Sequence, residues 1–293
     1  MAALFDVTCK PVDGVLSPDA LIEGATGKDV LVSSINDRLD ADLISRLPKE
    51  LKLIAQFGNG FDNIDIEAAY AEQRFDGLLL ASPANPTGAA LNREQLAAIV
   101  GACARLGVRF ISDEIYHGLD HRGPSTSALE LTADAIVINS FSKYYCMTGW
   151  RIGWMVVPDD LLRRTQMLQQ NLFISAPTLS QVAAIAALSE REYYEEQKAH
   201  YAENRLVLGQ GLRALGLGVA DGDGAFYAYA DVSRFTNDSL SFSKELLQEA
   251  GVAATPGVDF DRTNGSRFVR FSYAGSRETI EQALERMAGF LSR

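Results

Sequence analysis

Apolar residues along this chain fall into short unbroken runs, and amphipathic stretches separate them. Val30 to Ser33 and Leu53 to Phe57 have the length and composition of buried strands. Between them, Asp40 to Leu47 alternates as a short amphipathic helix that Pro48 stops. A further helix is expected from Asp65 to Gln73, followed by a seam at about Gln73 to Asp76 with no linker composition. Gly77 to Ala81 then reads as a strand. Asn92 is placed to cap a helix, with Gln95 three residues on as its capping-box partner and Gly107 near its end. Val108 to Ser112 and Ala135 to Ser140 are two more buried strands. This alternation predicts a parallel sheet covered on both faces. A long helix from about Tyr193 to Leu215 leads into strands at Phe226 to Ala230 and Arg267 to Tyr273. Helices near Phe242 to Ala250 and Glu278 to Leu291 accompany them, so the tail reads as a separate α+β layer. No internal repeat or low-complexity segment interrupts the pattern.

Composition narrows the class. With 293 residues, 47% hydrophobic and 22% charged, the chain has the make-up of an ordinary globular protein with one large core or a few smaller ones. No apolar run approaches a membrane span, and the opening MAALFDVTCK lacks the basic and apolar regions of a secretory signal. The net charge of −11 argues against nucleic acid or an anionic membrane as a general partner, while leaving room for a local basic pocket that takes a small anion. Cys9, Cys103 and Cys146 are far apart and odd in number, which fits a reducing compartment and a cytoplasmic location. His117 and His121 are four apart, but Gly118, Gly123 and Pro124 mark a loop there. They read as surface histidines, and no metal site is expected.

Chemistry is concentrated where the buried strands run out. Three successive strands end in SPANPTG (residues 82–88), SDEIY (112–116) and NSFSK (139–143). Ligands of open α/β sheets gather beyond the carboxyl ends of strands. Singly, Asn85 is a turn residue, Asp113 a helix cap and Lys143 a solvated charge. Together they resemble the fold-type I pyridoxal-phosphate (PLP) enzymes, specifically the class I/II aminotransferases. The most specific stretch is SFSKYYCMTGWRIGW, residues 140–154, in which a lysine follows a serine by three and precedes an arginine by eight. Cys146 stands where a small residue is usual, and cysteine is small and apolar enough to pack there.

The resemblance implies a role for each residue. Lys143 would form the Schiff base with PLP and act as acid and base in the proton shift, which requires its pKa to be depressed by burial and nearby positive charge. Asp113 would keep the pyridine nitrogen protonated. Asn85 and Tyr116 would donate to the cofactor's phenolic oxygen. Ser140 and Arg151 would bind its phosphate. Arg270, in FVRFSYA (268–274), would take the substrate carboxylate. TPGVDF (255–260) also matches the family and reads as a structural turn. An amino acid and a 2-oxo acid are the implied substrates. PLP lyases share the same set, so a lyase stays open.

Family members carry a longer N-terminal portion with a sheet strand, a phosphate-binding helix N-terminus, a ring that stacks on the pyridine, and a tyrosine that reaches the partner's phosphate. None is recognisable here. Instead the first seventy-odd residues resemble the start of a D-2-hydroxyacid dehydrogenase, most specifically KLIAQFGNGFDNID (52–65). The nucleotide-binding domain of that family does not follow, so a working dehydrogenase is excluded, and the join looks like a fusion. The bland role for this segment is to cover an edge of the truncated sheet.

The expected architecture is α/β. A flavodoxin-like fragment (1–73) precedes a truncated PLP-binding large domain with a mostly parallel sheet (74–195). An interdomain helix and a small C-terminal α+β domain (196–293) complete it. Transamination weakened by the missing half, and an inactive remnant or PLP-binding module, are both live readings. A homodimer weaker than usual, or a monomer with an apolar patch, is the expected assembly.

Overall fold

The computed structural model describes residues 16–34, 37–57, 64, 65, 68, 76–261 and 264–292. The Gly58 to Gly60 turn, most of the helix expected at 65–73, the seam at 73–75 and Cys9 lie outside the described residues. Six strands form the larger sheet: β1 (Val30–Ser34), β2 (Leu53–Phe57), β3 (Gly77–Ala81), β4 (Arg109–Asp113), β5 (Ile136–Ser140) and β6 (Gly153–Val156). They lie side by side in chain order. The first five are parallel and β6 is antiparallel to β5. The dehydrogenase-like segment therefore does extend the sheet beside β3, through Ile54↔Leu78 and Ala55↔Leu79.

Helices α1 (Pro18–Ala25) and α2 (Ala41–Arg46) pack Leu21, Leu43 and Ile44 with Ile54 of β2 into a small core. Helix α3 (Arg93–Leu106) starts at a complete capping box. Asn92 accepts from the Gln95 amide at 2.8 Å, and Gln95 accepts from the Asn92 amide at 3.0 Å. It ends at Gly107, whose φ of 66° is the left-handed cap. Its apolar face, with Leu96, Ile99, Val100 and Cys103, covers Leu80, Phe110 and Val137 of the sheet.

The expectation of cover on both faces is corrected. The opposite face carries Val32, Leu79, Ile111 and Ile136, in a register row that runs through five strands. There Val32 is 65% exposed, and nearby Ile138 and Met155 are 36% and 46% exposed. The helices after the sheet, α4 (Asp159–Leu172) and α5 (Thr178–Ala187), do not cover it: α4 buries no residue, and α5 leaves Leu179, Val182 and Ile185 exposed. A parallel sheet is normally sandwiched by helices. Among the described residues, one layer of that sandwich is missing.

The C-terminal layer is an antiparallel sheet ordered β7 (Gly218–Val219), β8 (Tyr227–Asp231), β10 (Phe268–Ser272) and β9 (Thr255–Pro256). Helices α6 (Arg191–Ala214), α7 (Ser239–Ala250) and α8 (Arg277–Leu291) contribute Leu208, Leu212, Phe242, Leu246, Ile280 and Met287 to its core. The loop after β3 is fastened to the turn before β8. The amides of Asp223 and Gly224 donate to Gly88 O at 2.8 and 2.9 Å. A Cβ on Gly88 would meet Gly224 O at 2.7 Å, so only glycine permits this approach. That junction brings the strand ends of the large sheet against the face of the small one. Among the described residues no helix is long and apolar enough to cross a membrane.

Candidate active site

The three strand ends converge as their sequence suggested. Beyond β3 the chain turns tightly, with Gly88 N donating to Ala84 O at 2.8 Å, and Asn85 projects toward β10. Asn85 Oδ1 accepts from Arg270 Nη1 at 2.6 Å. A guanidinium only donates, so this contact fixes the amide's orientation and leaves the Asn85 NH₂ for a ligand's acceptor.

Asp113 ends β4. Its Oδ1 accepts from the Ile115 amide at 3.1 Å. Burial pushes its carboxyl above the usual range, with the Ile115 amide opposing in part. Among the described residues no cation pairs with it, and a cationic N–H against its remaining oxygen is what would draw that pKa down again. Tyr116 is buried, its hydroxyl 3.0 Å from that of Tyr227. Burial first, then the Tyr227 contact, hold the Tyr116 phenol well above its usual value.

The turn between β5 and β6 (residues 141–152) carries Lys143. Its Nζ lies 5.5 Å from the ring centroids of both Tyr116 and Phe226. Burial lowers its pKa, and the charges of Arg270 and Arg151 lower it further. Ser140 Oγ accepts from the Ser142 amide at 3.0 Å and lies 2.9 Å from Ser142 Oγ and 3.1 Å from Ile152 O. Its hydroxyl is therefore engaged within the turn. Arg151 is exposed, with φ of 51°, and donates to Thr148 O at 3.0 Å. The two expected phosphate ligands thus share one turn without forming a closed cup.

Arg270 is the most tightly held group. Its guanidinium lies 4.4 Å from the Tyr227 ring centroid and 4.7 Å from that of Phe260, and Nη2 donates to Thr255 Oγ1 at 3.0 Å. Among the described residues its buried Nε has no hydrogen-bond partner. Sequence reasoning took the 255–260 segment for a structural turn, yet Thr255 and Phe260 are partners of Arg270. It also missed Tyr227 and Ser142. The only signal for Tyr227 was its place in an aromatic strand.

His117 and His121 are half-buried rather than surface groups. His117 Nδ1 is 3.2 Å from buried Glu114, which also accepts from the Ala128 amide at 2.8 Å. His121 Nε2 lies 2.9 Å from Tyr273 Oη and 3.1 Å from Ala225 O. Glu114, three residues back, engages His117, and Tyr273 and Ala225, distant in sequence, turn His121 inward. Among the described residues no group of three or more metal-ligating side chains is placed to hold an ion. A cavity of about 530 Å³, walled by Asn139, Tyr144, Trp154, Arg191 and Lys198 among others, lies beside this cluster and includes none of its seven expected residues.

Against known proteins, the family model for aminotransferase class I and II matches residues 50–287. That for the catalytic domain of D-isomer specific 2-hydroxyacid dehydrogenases matches residues 2–73. The chain is 50% identical over 220 residues to a valine–pyruvate aminotransferase of Mycobacterium tuberculosis, covering 73% of this chain and 57% of the relative. It is 40% identical over 223 residues to a (5-formylfuran-3-yl)methyl phosphate transaminase of Methanocaldococcus jannaschii, covering 74% and 58%. A crystal structure of an aminotransferase from M. tuberculosis superposes with a TM-score of 0.77 at 41% identity, over 90% of this chain and 70% of that one. The chain spans just under three-fifths of the length of the curated relatives named here.

Proposed function

Because the chain belongs to the class I and II aminotransferase family, whose members are PLP-dependent, we propose that it binds PLP at Lys143 and transfers an amino group between an amino acid and a 2-oxo acid. The observation that carries this reading is the amine of Lys143, depressed by burial and by Arg270 and Arg151 beside the Tyr116 ring. A lysine must lose its proton near neutral pH to attack a carbonyl, and this setting supplies both causes.

The donor set fits the cofactor's ring end. When bound, PLP supplies an aldehyde for the amine and a ring that accepts electrons. Asp113 would hold a proton on the ring nitrogen through its unused oxygen. The Asn85 NH₂ and Tyr116 Oη would orient the phenolic oxygen. Lys143 Nζ would take and return the proton during transfer. Arg270 keeps N–H groups for a substrate carboxylate, since its bonds to Asn85 and Thr255 use one on each Nη. Ser140 and Arg151 would contribute to the phosphate, the weaker end of the fit.

We place the cofactor site on residues 74–195 and the carboxylate-binding layer on 196–293, with the fragment 1–73 as edge cover. We propose a cytoplasmic protein, consistent with free Cys103 and Cys146. A weak homodimer, formed over the uncovered apolar surface, is the proposed assembly. The bare sheet face and the open phosphate end favour one second reading, a PLP-binding module with slow turnover.

The test is to add PLP to the purified protein, record the visible band, reduce with borohydride and map the labelled peptide. The label is expected on Lys143. A label on another lysine, or none on a folded protein, overturns the proposal.

A further inference from the structure

We infer that Tyr227 is a positioning residue that joins the two ends of the site, its hydroxyl fixing Tyr116 and its ring seating Arg270. The inference rests on the reading of Tyr116 and Arg270 given above. Tyr227 opens β8 and is 7% exposed. Its hydroxyl is 3.0 Å from Tyr116 Oη, and its ring centroid is 4.4 Å from the Arg270 guanidinium. The rings of Tyr116 and Tyr227 meet edge to face, at 5.8 Å and 78°. One side chain therefore touches both the phenol that would address the cofactor and the cation that would address the substrate.

The two contacts use different parts of the residue. A phenylalanine would seat Arg270 as well but would leave the Tyr116 hydroxyl with no partner in a buried cluster. A leucine would also remove that π face, leaving Arg270 its bonds to Asn85 and Thr255 and the ring of Phe260. For Tyr116 to donate to a ligand oxygen it must accept from Tyr227, and accepting that bond makes its own proton a better donor. Tyr227 thus tunes one end electronically and holds the other sterically. The groups that bear on Tyr116 are Tyr227 from β8, Arg270 from β10, Lys143 from the β5–β6 turn and Asp113 from its own strand end.

The experiment compares Tyr227→Phe and Tyr227→Leu with the unsubstituted chain in three readouts. The first is the pH midpoint of the visible band with PLP bound. Tyr227→Phe is expected to raise it by about 0.3 unit or more, because a weaker Tyr116 donor leaves the phenolic oxygen more basic. The second is the dissociation constant of pyruvate, which has the carboxylate but no amine to transfer. Tyr227→Leu is expected to weaken it about 3- to 20-fold and Tyr227→Phe less than about twofold. The third needs no cofactor. Phenylglyoxal labelling of Arg270, mapped by mass spectrometry, is expected to speed up several-fold in Tyr227→Leu and not in Tyr227→Phe. If the two variants behave alike in every readout that can be taken, the inference is overturned. If the unsubstituted chain shows no Lys143-dependent band, the proposed function fails, and the labelling rates alone decide the role of the Tyr227 ring.

Discussion

Thr255→Val separates the holding of Arg270 from the holding of the cofactor. Valine has nearly the shape of threonine, so β9 keeps its packing beside β10 while the 3.0 Å bond from Arg270 Nη2 to Thr255 Oγ1 is lost. A hydrogen bond to a charged group contributes about 1.5–3 kcal/mol. Arg270 would retain the 2.6 Å bond to Asn85 and the rings of Tyr227 and Phe260, each cation–π contact contributing roughly 0.5–2 kcal/mol. The guanidinium should therefore stay in place but turn more freely, so only part of the lost bond energy reaches the ligand. Carboxylate affinity should fall by about tenfold, the equivalent of 1.4 kcal/mol. Thr255 bears on Lys143 and Asn85 through Arg270, which stays in place, so PLP affinity and its visible band should change far less than carboxylate affinity. Titration of the band with PLP, and then with pyruvate, measures both. A variant that binds pyruvate within twofold of the original, with stability lowered by the expected 1.5–3 kcal/mol, would refute the assignment of Thr255 to the carboxylate site.

Other outcomes can be stated briefly. Lys143 binds its proton less tightly in the fold than the ordinary lysine value of 10.5, so stability should rise as pH increases from the folded pKa to that value. Lys143→Met should abolish the rise, seen in urea midpoints across alkaline pH; an unchanged slope would contradict it. Asp113→Asn should bind PLP but stall proton transfer, whereas Arg151→Ala should mainly weaken PLP binding, as fluorescence titration and single-turnover rates would distinguish. Val32→Glu and Met155→Glu should reduce self-association in light scattering while changing stability by less than about 0.5 kcal/mol; a collapse of the fold would mean that these side chains are covered.

Much of this arrangement was legible because local signals and fold agree. The Asn92–Gln95 box, the Gly107 cap and the polar ends of β3, β4 and β5 each follow from a few adjacent residues. Helices α4 and α5 went unrecognised: α5 is almost all apolar and gives no one-sided stripe, whereas α4 carries one, through Leu161, Leu168 and Leu172, that the fold leaves unburied. His117 and His121 were misread because glycines and a proline mark a loop without telling which way its side chains point; the neighbouring buried Glu114 decided that for His117, and Tyr273, far along the chain, for His121. Thr255 and Tyr227 were hidden for the same reason. Their function lies in contacts across the small sheet and its junction with the strand ends, and no spacing along the chain encodes those.

The two edges of the large sheet bear differently on the site. Strand β2 meets β3 at two registered pairs, whereas β3 and β4 are paired along five, so the dehydrogenase-like segment is attached by the shorter seam. Asn85, the site residue nearest that seam, does not depend on it. It is held by Arg270, and the loop that carries it is pinned to Gly224 through Gly88. Tyr116 is held by Tyr227, and Lys143 lies over Tyr116 and Phe226. Every one of these partners belongs to residues 77–292. The N-terminal segment therefore acts on the edge of the sheet, while the geometry of the cluster is set by the junction between the strand ends and the small C-terminal sheet. What remains unmatched is the bare face, which adjoins β5 and β6 and so backs the turn bearing Ser140, Lys143 and Arg151. Rigidity there depends on whatever covers Ile138 and Met155. The proposed phosphate end, at Ser140 and Arg151, is accordingly the end nearest the face that the described residues leave uncovered.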